Sequence, residues 1–176
     1  MDIFKGLEKE RKVIKMLIKS FKDEDFVNYK KPSMFIISPT CSFKCDKENG
    51  CLMCQNSHLV HEPTHNISVR NLIERYLDNR ITKAIVFGGL EPFDTPEELD
   101  RFIKILRWNY NKDDDIVIYT GYTEEELTAN KYYEQILGYG NIVIKYGRFR
   151  PNQTPHYDEV LGVNLASDNQ YAKRYD

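Results

Sequence analysis

All four cysteines of this 176-residue chain lie between positions 41 and 54, in the run Cys41-Ser-Phe-Lys-Cys45, then Cys51-Leu-Met-Cys54, followed by Gln55-Asn56. Sulfurs gathered this closely answer one local chemical task rather than the packing of a core. Thiolates on an irregular, glycine-containing loop converge on a soft ion or a cluster, and iron–sulfur clusters are held by cysteine thiolates. Zinc is the rival, because four cysteines can close one tetrahedral structural site. Zinc sites usually set two short knuckles apart by a longer spacer, whereas here a CxxxC is followed almost at once by a CxxC. Disulfides are the third reading. Residues 1–20 mix acids and bases without a long apolar core, so no signal peptide is expected and a reducing cytoplasm is. The spacing favours iron–sulfur, with zinc or uncommitted thiols as the alternatives.

The rest of the chain must position that loop. Its 41% apolar content suits one compact domain without need of a second. Lys plus Arg number 25 against 27 Asp plus Glu, a formal net charge of −2. That balance lacks the basic excess expected of a partner for nucleic acid or an anionic membrane surface. No apolar run has the length of a membrane span. The 12 tyrosines and nine phenylalanines are dispersed, as core and groove residues are, rather than grouped as a base-stacking platform.

Taken in order, Ile14, Leu17, Ile18 and Phe21 fall at helical spacing and predict a helix over 3–22, with Lys9–Lys12 and Lys19–Asp25 on a solvated face. Residues 1–33 then form an N-terminal helical extension and 34–176 the core domain. Met34–Ser38, ended by Pro39, predicts a buried strand that delivers the chain to the cysteines. Ser68 caps a helix carrying Val69, Leu72, Ile73 and Tyr76, and Ala84–Phe87 predicts a second strand ending in Gly88-Gly89-Leu90-Glu91-Pro92. Thr95-Pro96-Glu97-Glu98 has the form of a capping box before a third helix, on which Trp108 is read as packing. Asp115–Tyr119 and Ile142–Tyr146 are two more strands, separated by a capping box at Thr123 and Glu126 and a helix that stops near Gly138 and Gly140. The tail from Gly147 is expected to be largely irregular, with a short strand at Val163–Ala166.

Four apolar strands alternating with helices predict parallel βαβ units. Ligands in such sheets sit outside the carboxyl ends of the strands, where the cysteine loop, Gly88–Pro92 and Thr120–Tyr122 would meet. Gly-Gly-x-Glu-Pro alone is no more than turn chemistry with a helix-start charge. Beside thiolates, its glycines let backbone approach a small ligand, and Glu91 can receive an ammonium group.

These segments resemble the radical S-adenosylmethionine (SAM) superfamily and, within it, the activating enzymes of anaerobic ribonucleoside-triphosphate reductases. The resemblance runs from about Phe35 to Gln170. Cys41 to Cys45 is similar to the family's CxxxC, and Cys54-Gln-Asn56 to its third cysteine followed by x-Asn. Gly88 to Pro92 is similar to the SAM-amino motif, Tyr119-Thr-Gly-Tyr122 to the third-strand loop, and Ala166-Ser-Asp-Asn-Gln170 to the small-Ser-x-Asn-Gln signature of the activases.

The resemblance implies an α/β fold, a partial, open radical SAM-type (β/α) barrel of parallel strands with an added N-terminal helix. It implies a [4Fe–4S] cluster on Cys41, Cys45 and Cys54, with one iron left for SAM. Gly88, Gly89, Glu91 and Pro92 would lie near the amino end of SAM, Thr120 and Gly121 in the adjoining loop, and the Met53 backbone near the adenine. With a one-electron donor, the activity implied is reductive cleavage of SAM to a 5′-deoxyadenosyl radical that takes hydrogen from a glycine of the reductase. No side chain need act as acid or base.

Two departures stand out. The family spaces its second and third cysteines by two residues, whereas Asp46 to Met53 separate Cys45 from Cys54, so the second ligand is Cys45 or Cys51. Cys45 is preferred, because it completes CxxxC and the Asp-Lys-Glu-Asn-Gly insertion can bulge outward. The family's Asp-Gly-Pro-Gly stretch before the first strand is also missing, which leaves open a radical SAM enzyme acting on another peptide or small molecule. His58, His61 and His65 are read as solvent-facing rather than as ligands or proton donors, and Lys145–Arg150 as a charged strand end rather than a grip on a partner.

Overall fold

The computed structural model describes residues 13–176. In chain order the elements are β1 (Lys15–Ile18), β2 (Ser20–Asp25), β3 (Ser33–Ile37), α1 (Lys44–Asn49), β4 (His65–Ser68), α2 (Val69–Asp78), β5 (Ala84–Gly88), α3 (Pro96–Asn109), β6 (Asp115–Tyr119), α4 (Glu124–Leu127), α5 (Tyr133–Leu137), β7 (Ile142–Tyr146), β8 (His156–Asp158), β9 (Val163–Leu165) and β10 (Tyr171–Tyr175). Short 3-10 turns occur at Ser57–His61 and Pro92–Asp94.

Six strands form one sheet in the order β10-β7-β6-β5-β3-β2. The four central strands are parallel, and β2 and β10 run antiparallel at the two ends. Central strands read as unbroken apolar runs because both of their faces are covered. On one face Met34, Ile36, Ile85, Phe87, Ile116 and Ile118 pack with α2, α3 and α5. On the other, Val86, Val117 and Val143 meet Tyr29 and Leu161 from irregular segments and Leu165 of β9. The register aligns Ile37 with Gly88, and Phe87 with Ile118, so the loops leaving β3, β5, β6 and β7 emerge at one end of the sheet.

The helix expected over 3–22 is not formed by residues 13–22; residues 1–12 lie outside the described residues. Met16 and Ile18 are buried while Leu17 is 40% exposed, an alternation of period two that outweighs the helical spacing of the same stretch. Pairing explains it: β1 lies against β4, and β2 adds to the otherwise open edge of β3. Lys19 is buried rather than solvated, its ammonium donating to the carbonyls of Val60 and Glu62 and to Thr64 Oγ1.

Ser68 caps α2 as expected, accepting from the Asn71 N–H, and the Thr123–Glu126 capping box is complete. The box at Thr95 does not form. Glu98 is drawn instead to the Leu17 N–H, a backbone donor of β1. The helix after Thr123 is broken into α4 and α5. The tail is more ordered than its composition predicts: β10 closes the sheet edge on β7, and β8 pairs with β9. Trp108 is 67% exposed, with Lys104 over its ring, and packs edge-to-face on Tyr139 at the surface rather than in the core. No described helix is long and apolar enough to cross a membrane.

Candidate iron–sulfur site

The cysteine loop is stitched to its neighbours by backbone and carboxylate. Ser38 N–H donates to the Gly88 carbonyl at 3.1 Å, and Glu91 N–H to the Thr40 carbonyl at 2.9 Å. Asp94 accepts the Ser42 N–H on one oxygen and the Tyr122 hydroxyl on the other. Phe43, at φ 51°, then turns the chain into α1, and its N–H points at Cys41 Sγ at 3.3 Å.

Cys45 stands in the first turn of α1, and the residue after it folds the insertion. Asp46 is buried, and its Oδ1 accepts from the N–H groups of both Met53 and Cys54 at 2.9 Å. Asn49 donates to the Cys45 carbonyl and to the Phe149 carbonyl. The chain from 46 to 54 therefore doubles back and returns Cys54 to the side of Cys45. Cys51 is exposed, its thiol near the Asn49 carbonyl.

Cys41, Cys45 and Cys54 share one electrostatic neighbourhood. Burial pushes the Cys41 thiol up to about 12; the Phe43 N–H opposes this, and Glu91, Asp94 and Cys45 add to it. Burial also raises Cys45, against the Phe149 backbone N–H, with Cys54 raising it further and Lys145 and Arg148 drawing it down. Among the described residues no three His, Cys, Asp or Glu side chains converge closely enough to hold one metal ion. A tetrahedral zinc would pull its thiolates to about 3.8 Å from one another, whereas a cubane gives each thiolate its own iron and a wider spread. Cys51 is exposed, whereas the other three cysteines are half-buried. The donor set fits a cluster: half-buried thiols resist ionisation until a cationic centre compensates them, and Lys145 and Arg148 add positive charge beside Cys45.

Glu91, buried, joins two of the loops. Its carboxylate accepts from Thr120 Oγ1 at 2.7 Å, Gly121 N–H at 2.8 Å and Phe93 N–H at 3.0 Å. Burial pushes its pKa up to about 7 against those three donors. Pro92 opens the 3-10 turn that follows. Gly89, at φ +73°, passes so close to β3 that a Cβ would lie 2.9 Å from Ile37 Cγ2. At Gly88 a Cβ would press on Tyr119 and Phe35, and at Gly121 it would stand 3.6 Å from both Cys45 Sγ and Glu91 Oε2. Met53 spends its N–H on Asp46, and among the described residues its carbonyl accepts no hydrogen bond.

Lys145 and Arg148 are buried components of the site, not a solvated strand end. Burial brings Lys145 down to about 8, opposed by Glu91 and Cys45, and its ammonium donates to the Gly147 carbonyl. Arg148 pairs with Glu126 and Glu48. Asp46, Asp94, Lys145 and Arg148 escaped the sequence reading. Asp46 alone carried a signal, being the acid fixed beside Cys45. His58, His61 and His65 are exposed, as read.

Residues 33–170 match the family model described as a 4Fe-4S single cluster domain. The chain belongs to that family, and its cofactor is a 4Fe–4S cluster. A search of curated proteins finds no match.

Proposed function

We propose that this protein is a radical SAM activase that generates a glycyl radical on an anaerobic ribonucleoside-triphosphate reductase. The observation that carries the reading is the gathering of Cys41, Cys45 and Cys54 beside Gly88–Pro92 and Thr120–Gly121 at the carboxyl end of four parallel strands. On this reading the open sheet is the superfamily's partial barrel. When bound, the cluster supplies the electron that cleaves SAM and so initiates hydrogen abstraction from the partner's glycine.

The chain's own residues bind, orient and exclude water. Cys41, Cys45 and Cys54 are the cluster ligands. Gly121 keeps the space beside Cys45 and Glu91 free of a side chain, while Gly88 and Gly89 let the end of β5 pass close to Tyr119, Phe35 and Ile37. Glu91 holds the β5 and β6 loops in register, where Gly88–Pro92 would receive the amino end of SAM, and the Met53 backbone would lie near the adenine. With three of its acceptor positions already engaged, Glu91 acts mainly through the loops it joins. The Ala166–Gln170 match to the activase signature is what supports a reductase as partner.

The test is anaerobic purification and reconstitution with iron and sulfide, followed by metal analysis and a 5′-deoxyadenosine assay with SAM and a strong reductant. Incubation with the reductase and electron paramagnetic resonance (EPR) detection of a glycyl radical complete it. About four irons per chain, SAM cleavage and the radical are expected. Cleavage without the radical would move the substrate elsewhere, and stoichiometric zinc without iron uptake would overturn the enzyme.

A further inference from the structure

The signature Ser167-Asp168-Asn169-Gln170 lies more than a hundred residues from the cysteines, yet its side chains all but one turn inward. Ser167 is completely buried, its Oγ accepting from the Arg150 N–H at 2.8 Å and donating to the Arg150 carbonyl at 3.0 Å. Asn169 Nδ2 donates to the Arg148 carbonyl at 3.0 Å. Gln170, 6% exposed, accepts the Ser167 N–H and donates to the Gly147 carbonyl. Three side chains thus grip three carbonyls of one segment, 147–150. Gly147 allows the grip: at φ +95°, a Cβ there would fall 2.8 Å from the Asn169 carbonyl oxygen.

That segment is what braces Cys45. Asn49 of α1 donates to both the Phe149 carbonyl and the Cys45 carbonyl, and a Cβ at Gly121 would stand 3.6 Å from Cys45 Sγ and 3.8 Å from Arg148 Cγ. Arg148, buried between α1 and α4, lies 2.9 Å from Glu48 and pairs with Glu126. Contacts therefore run from the tail, through 147–150, to the helix that carries a cluster ligand.

We propose that Ser167, Asn169 and Gln170 are positioning residues for the cluster, acting through segment 147–150 on Cys45, and are not a contact surface for the partner. Only Ala166 and Asp168 of the signature face solvent. The proposal rests on Cys45 being a cluster ligand. Outer-shell partners that orient metal ligands change metal affinity by roughly 10- to 100-fold when removed.

The test compares full-length Asn169→Ala and Gln170→Met with Asp168→Ala, each reconstituted anaerobically. Iron release to a chelator, the EPR spectrum of the reduced cluster and amide hydrogen exchange are measured. Iron loss roughly 10- to 100-fold faster, an altered EPR line shape and faster exchange at both 147–150 and 45–49 are expected for the first two, and wild-type behaviour for Asp168→Ala. Half-buried Asn169 keeps the test intact if Gln170→Met does not fold. Wild-type iron retention, EPR and exchange in Asn169→Ala, with loss of partner activation alone, would overturn the proposal. If the wild-type chain takes up no iron, the cluster assignment fails instead. Exchange on the metal-free chain then decides whether the tail braces α1.

Discussion

The Asp46 carboxylate accepts the Cys54 N–H at 2.9 Å, closing an eight-residue span of chain from the first residue of the insertion to the last cysteine. The same oxygen holds the Met53 N–H. One side chain thereby turns an unusually long cysteine spacing into a short one in space. Hydrogen bonds to a charged group contribute about 1.5–3 kcal/mol each, enough to fix the loop. Asp46→Ala is expected to weaken iron retention roughly 10- to 100-fold, while Asp46→Asn, which keeps an acceptor oxygen, retains the cluster. Iron and sulfide content after reconstitution checks both.

The thiol arrangement makes the ligand assignment testable. Cys45 acts on Cys41 and Cys54 acts on Cys45, while Cys51 is exposed. Cys41→Ala, Cys45→Ala and Cys54→Ala should each abolish the cluster's visible absorption, and Cys51→Ala should retain it. Retention in Cys45→Ala with loss in Cys51→Ala would reverse the assignment.

On the proposed function, substitution of Glu91 distinguishes SAM binding from cluster binding. In E91Q the remaining carbonyl oxygen can still accept from Thr120 and Phe93, but an amide NH2 would face the Gly121 N–H in place of an acceptor. The loss of one buried hydrogen bond costs about 1–3 kcal/mol. Unchanged iron content with SAM affinity lowered roughly tenfold or more is expected, measured by calorimetry on the reconstituted protein. Loss of iron in E91Q would show that the two loops also carry the cluster.

The central strands were legible because both of their faces are covered, so Met34–Ile37, Ala84–Phe87, Asp115–Tyr119 and Ile142–Tyr146 announce themselves as apolar runs. The edges were not. Ile14, Leu17, Ile18 and Phe21 satisfy a helical spacing as well as an alternating one, and only the open edge of β3 and the pairing with β4 decide between them. Lys19 reads as solvated in any local window, because the carbonyls that hold it come from more than 40 residues away. Arg148 was obscure for the same reason, with its acids on α1 and α4. The cysteines were legible through their spacing, whereas the fold of the insertion depended on one carboxylate reaching two distant amides.

Asp115, at the end of the sheet opposite the cysteines, supplies a pH test free of the cluster. Its side chain is buried and meets the Tyr29 hydroxyl, the Lys31 ammonium and the Arg174 guanidinium. Burial alone would raise its pKa, but the hydrogen bonds from Lys31, Tyr29 and Arg174 together outweigh burial and hold it below the usual carboxylate range. A folded pKa below the unfolded one contributes stability that is fully present above the unfolded value, about 3.9, and is lost as pH falls through the folded one. Chemical denaturation of the metal-free chain should therefore show stability falling below about pH 4. Asp115→Asn should flatten that acid limb, and Asp115→Ala should cost about 1–3 kcal/mol at neutral pH by leaving the buried Tyr29 hydroxyl without its acceptor. An acid limb unchanged in Asp115→Asn would assign the loss to other carboxylates, with Glu126, held down to about 2 chiefly by Arg148, as the next to substitute.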